Sequence, residues 1–127
     1  MFAIGENNTL LLNRGDTAIF SFSAEKNGVQ YTFKQGELLR LKVYGRKNAD
    51  KVFLRKDFPV LTDSAEIKLE LTGDDTKFGP VISKPTEYWY EIELNPDTIP
   101  QTVLGYDEDG PKIFMLYPEG SDSFGNE

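Results

Sequence analysis

The chain has 127 residues, with 14 lysines and arginines against 21 aspartates and glutamates, and it contains neither cysteine nor histidine. That length suits a single domain whose core needs no disulfide, and the missing residue types exclude a thiol nucleophile, a histidine base and the two commonest zinc ligands. The net charge of -7 speaks against nucleic acid as a partner, because affinity for a phosphate backbone rests on lysine and arginine.

Taken in order, residues 1–8 read as a lead-in broken by Gly5 and Asn7-Asn8, and residues 9–13 as a first short apolar strand. Arg14-Gly15-Asp16-Thr17 is a turn, with glycine free to take a positive φ and aspartate able to bond nearby backbone N–H groups. The Arg-Gly-Asp triplet also invites an adhesive reading, but a tight connection between two strands is a poor place to present it. The strand that follows, 18–25, organises the rest: Ala18, Phe20, Phe22 and Ala24 share one face at period two, and two phenylalanines on a face require a second apolar layer above them.

Asn27-Gly28 signals a hairpin, returning through 29–33 with Val29, Tyr31 and Phe33 on one side. In strand 38–44, Leu39, Leu41 and Val43 face inward while Arg40 and Lys42 face water. Residues 52–56 mix apolar and basic side chains, as an edge strand does. The cleanest alternation is 65–71, with Ala65, Ile67, Leu69 and Leu71 inward. Thr72-Gly73-Asp74-Asp75-Thr76-Lys77-Phe78 reads as one helical turn crossing between layers, Thr72 capping it. Strand 88–94 then places Tyr88, Tyr90, Ile92 and Leu94 on one face and Trp89 among Glu87, Glu91 and Glu93 on the other. Two final apolar runs, 101–106 and 112–117, flank Asp107-Glu108-Asp109-Gly110-Pro111 and are expected to pair as a closing hairpin. Residues 118–127 form a flexible acidic tail.

The expected architecture is therefore all-β, an antiparallel sandwich over 9–117 with one short helical turn. Neither acidic cluster has the ligand spacing of a dedicated calcium loop, and no paired carboxylates, phosphate loop or nucleophile elbow is visible. No catalytic residue, cofactor or metal site is expected. No apolar run approaches the roughly 20 residues of a membrane span, so no membrane partner is expected, and the local basicity of 40–56 reads as a solvated face. Trp89, the sole tryptophan, is the candidate partner contact, the alternative being a neighbouring loop that covers it.

Three stretches carry a resemblance: Arg14-Gly15-Asp16-Thr17 opening an aromatic strand, Leu71-Thr72-Gly73-Asp74-Asp75-Thr76 joining two layers, and Tyr88-Trp89-Tyr90-Glu91-Ile92-Glu93-Leu94. Across residues 9–117 the chain resembles the immunoglobulin-like domains of phage tails, above all the N-terminal domain of upper baseplate proteins from siphophages and prophages of Gram-positive bacteria. Where that family usually has an Asp-Leu-Thr-Gly-Ala stretch, this chain has Phe33-Lys34-Gln35-Gly36-Glu37. The resemblance implies an immunoglobulin-like sandwich with a non-catalytic structural role in a tail or baseplate. It also implies docking on other tail proteins and on copies of itself, and location in a virion made in the bacterial cytoplasm. No small-molecule ligand is expected on this reading. The competing class is a bacterial cell-surface or carbohydrate-binding β-sandwich module, which would line a groove with several aromatics; a lone tryptophan favours the first.

Overall fold

The computed structural model describes residues 2–4, 8–26, 28–46, 51–108 and 110–119, the first three by their backbone. The described strands are β1 (Phe2–Ile4), β2 (Leu10–Asn13), β3 (Ala18–Phe22), β4 (Glu25–Lys26), β5 (Val29–Gln30), β6 (Leu38–Gly45), β7 (Val52–Pro59), β8 (Ile67–Leu71), β9 (Thr86–Leu94), β10 (Gln101–Leu104) and β11 (Lys112–Tyr117). One large sheet runs β1-β2-β11-β9-β6-β7, with β10 also on β9; the ribbon β3-β8 and the short hairpin β4-β5 stand apart from it. The fold is all-β and sandwich-like, with a 3-10 turn at Asp75–Lys77.

Alternation decides which side chains enter the core. Leu39, Leu41 and Val43 of β6 sit beside Leu94, Ile92 and Tyr90 of β9, and all six are buried. The ribbon covers them with Ala18, Phe20 and Phe22 from β3 and Leu69 and Leu71 from β8, so the layer that the phenylalanine face requires is the large sheet. Phe114 and Leu116 of β11 and Leu10 and Leu12 of β2 extend the same core. Each fully buried leucine contributes about 2 kcal/mol relative to an exposed one, which makes this interface the main source of stability.

The 3-10 turn carries the chain from ribbon to large sheet, and Thr72 and Asp75 close it reciprocally. The Thr72 N–H donates to Asp75 Oδ2 at 2.8 Å and the Asp75 N–H to Thr72 Oγ1 at 3.2 Å. As its composition predicts, β7 is an outermost strand, paired among the described residues with β6 alone, and it runs on to Pro59.

Four local expectations need correction or restriction. Within the segment read as a lead-in, Phe2–Ile4 is a strand, antiparallel to β2 with Phe2 opposite Leu12. The 29–33 return is not one strand: β5 ends at Gln30, Val29 is exposed, and Phe33 turns into the core to bridge Ser64. A two-residue ladder at a hairpin tip has no layer above it, so the shared face breaks.

The third concerns the closing hairpin, which does not form. β10 and β11 both lie antiparallel to β9, end to end along one edge: Leu104 opposes Ile92 and Lys112 opposes Tyr90. They are two halves of one interrupted strand, and the chain leaves the sheet between them in a small excursion that starts at Gly105. Within it Asp107 and Gly110 bridge with N···O distances of 3.2 and 2.8 Å. Fourth, Asn27, Asp109 and most of the 118–127 tail lie outside the described residues. The first tail residues are held, since Asn13 Nδ2 donates to the Pro118 carbonyl at 2.9 Å.

Candidate functional site

The large sheet has one face on the core and one face outward, and the outward face divides in two. Towards one end it is a charge ladder. Lys42 Nζ lies 3.4 Å from Glu91 and 3.1 Å from Glu93, and Arg40 pairs with Asp57 at 2.7 Å and Asp97 at 3.1 Å. The Arg40 hydrogen bonds hold the Asp57 carboxyl below the usual carboxylate range against the opposing effect of burial. Those charges satisfy one another across β7, β6, β9 and the turn that follows β9.

Towards the other end the same face is mostly apolar, with Glu87 set into it opposite Met115. Cross-strand register puts Ile113 of β11 beside Trp89 of β9, Trp89 beside Tyr44 of β6, and Met115 of β11 beside Leu11 of β2. All five are half-buried, forming a continuous band where an outward face is ordinarily polar. Trp89 is positioned by two contacts. Its indole N–H donates to Glu87 Oε2 at 3.0 Å, and its ring lies 6.0 Å from that of Tyr106, which leans in from the excursion after β10. Tyr106 itself stays 67 % exposed. The loop thus covers part of the indole and adds a second aromatic to the band. Burial, with the charge of Glu91 adding to it, pushes the Tyr44 hydroxyl above its ordinary pKa, so it remains a neutral hydroxyl in this band.

The excursion is anchored beneath. Gly105 is buried, and a Cβ there would meet Thr102 Cγ2 at 2.9 Å, so only glycine lets the chain leave the sheet so close to its surface. The ammonium of Lys112, almost fully buried, pairs with Asp107 at 2.8 Å.

The Arg14-Gly15-Asp16 triplet has a different occupation. Arg14 is buried, its guanidinium donating to Glu119 Oε1 at 2.8 Å and to the carbonyls of Lys77 and Gly79 at 3.1 and 3.2 Å. The Gly15 N–H donates to Thr76 Oγ1 at 2.9 Å, so the triplet clasps the 3-10 turn to the end of β11. A guanidinium committed in this way is not available to an adhesion receptor. Among the described residues no group of acidic side chains converges to hold a metal ion, and no helix is long and apolar enough to cross a membrane.

Sequence reasoning selects Trp89 and misses its companions Tyr44, Ile113, Met115, Leu11 and Tyr106. The odd-numbered positions of 112–117 are as apolar as the even ones, and that two-sided pattern is the signal that marked an outward apolar face. No protein-family model, curated protein or solved structure matches this chain.

Proposed function

We propose that this chain is a non-catalytic structural protein of a phage or prophage tail or baseplate, acting as a protein–protein interaction module in virion assembly. Its location is the virion, and its partners are other tail or baseplate proteins and copies of itself. The observation that carries the reading is the half-exposed band of Trp89, Tyr44, Ile113 and Met115 on the outward sheet face, an apolar surface of the kind proteins dock on. Two further features support it. The ribbon β3-β8 set against β11-β9-β6-β7 follows the strand order of immunoglobulin-like sandwiches, which place strands B and E opposite G, F, C and C′. The motif stretches at 14–17 and 71–76 are also bonded to each other, so two of the three stretches that carry the family resemblance meet in one clasp.

The deciding experiment is mass spectrometry of tail particles purified by density gradient from the native host after prophage induction. The chain is expected in stoichiometric amounts beside the tail tube and baseplate proteins. Its absence from particles that contain those proteins overturns the proposal.

A further inference from the structure

A second surface, remote from the Trp89 band, has the character of a ligand site. The β4-β5 hairpin leans over the far end of β9 and β10, leaving a half-open groove of about 270 Å³, near the lower limit of small-molecule sites. Ala24, Leu94 and Val103 are the aliphatic part of its lining, and Tyr31 forms one wall. That tyrosine is held rigidly. Its hydroxyl donates to the Glu37 carboxylate, 2.8 and 2.9 Å from the two oxygens, and its ring stands edge-on to Phe33 at 5.1 Å and 77°. Glu37 is fixed in turn, accepting from the Lys34 N–H at 2.7 Å and from Asn95 Nδ2 at 3.1 Å. An aromatic wall fixed before any ligand arrives loses no rotamer freedom on binding.

The rim consists of Glu25, Lys26, Gln101 and Thr102. Among the described residues none of these four side chains makes a hydrogen bond or ion pair, in contrast to the charges of the outward face, which neutralise one another. The rim offers donors and acceptors in a charge-balanced set, one carboxylate against one ammonium. It therefore selects neither an anion nor a cation. A ligand matched to it has an apolar face for the tyrosine ring and several hydroxyls around its edge. Tyr31 and Lys26 also line a second, shallower hollow of about 330 Å³ with Gln30 and Lys34, so the two hollows adjoin and a ligand of two linked units can reach both.

We infer that this groove binds a neutral saccharide, one pyranose ring packing on Tyr31 and hydrogen-bonding Gln101 and Thr102, with a second ring reaching the adjoining hollow. This goes beyond the structural role proposed above and stands on different residues. A chain absent from tail particles would leave it untouched, and a chain present in them would not establish it.

The test is a titration of the ¹⁵N-labelled full chain with glucose, N-acetylglucosamine, maltose and chitobiose, followed by amide shifts. Saturable shifts confined to the groove amides of Tyr31, Leu94, Gln101 and Val103 are expected, with dissociation constants of about a millimolar and the disaccharides tighter than their monomers. Gln101→Ala and Thr102→Ala alter exposed side chains and leave the thermal midpoint in place; together they are expected to weaken binding about tenfold. Absence of saturable shifts up to 50 mM of all four sugars overturns the inference, as do shifts centred on Trp89 or sugar binding that the double variant retains in full.

Discussion

Thr76 is completely buried, and its hydroxyl serves three backbone groups at once: it accepts from the Gly15 N–H and is 2.9 and 3.1 Å from the carbonyls of Asp16 and Gly73. Valine has the same shape without the hydroxyl, so Thr76→Val isolates the hydrogen bonds and leaves a part-buried N–H unpaired. We expect a loss of about 2 kcal/mol in chemical denaturation with an unchanged m-value. Gly73 sits on the same contact, and a Cβ there would lie 2.7 Å from the Gly15 carbonyl oxygen. Because that obstacle is backbone, Gly73→Ala is expected to cost about 1–3 kcal/mol as well. Both residues act on one contact, so the double variant should lose less than the sum, measured by a double-mutant cycle. If the clasp contributed nothing, both single variants would unfold at the wild-type midpoint.

At the scale of elements, the interrupted strand β10/β11 makes a prediction of its own. Asp107 neutralises a buried ammonium, so Asp107→Ala strands the Lys112 charge, whereas Lys112→Met removes charge and need together. Since Asp107 is half exposed to water, we expect the first change to cost about 1–2 kcal/mol and the second distinctly less, by thermal melts of the two variants. The same element shows where sequence reading stops. The strands β6, β8 and β9 are legible because each alternates cleanly, and a half-buried strand has only one way to satisfy that pattern. Asp-Gly between two apolar runs states that the chain turns, but not whether the runs pair with each other or with a third strand. Here β9 offered an unpaired edge long enough for both, and its pairing prevailed over the local hairpin. Val29 fails for a related reason: its place in the alternation is correct, yet the covering layer ends before reaching it. Of the candidate site, Trp89 was legible as a lone tryptophan on an acidic face, while its neighbours come from β2, β6 and β11, and proximity across strands is not written in any one of them.

For the molecule as a whole, charge governs both stability and association. Burial opposes the charge on Asp75, but Lys56 and the Thr72 N–H and hydroxyl outweigh it and keep the carboxyl below its ordinary pKa. Burial likewise opposes Glu37, which the Lys34 N–H, Tyr31 and Asn95 hold low, and Asp57 is held low by Arg40. A carboxyl depressed in the folded state binds protons more readily once unfolded. Its stabilisation is therefore present at neutral pH and is lost as pH falls below about 4 through the folded pKa values. Thermal midpoints should be level from pH 8 to 5 and then drop, and Asp75→Asn should flatten part of that drop.

The proposed self-association sets the same charge against the outward apolar band. Two copies that each carry -7 repel at long range, while the Trp89, Ile113 and Met115 surface attracts only on contact. Salt screens the first and strengthens the second, so the mass from light scattering should rise towards a multiple of the monomer between about 50 and 500 mM sodium chloride. Ile113→Asp, on the band but outside the core, should hold the mass at the monomer value throughout while leaving the melting temperature nearly unchanged. A wild-type mass that stays monomeric at every salt and protein concentration would remove copies of this chain from the partners of that face and leave only other proteins to cover it.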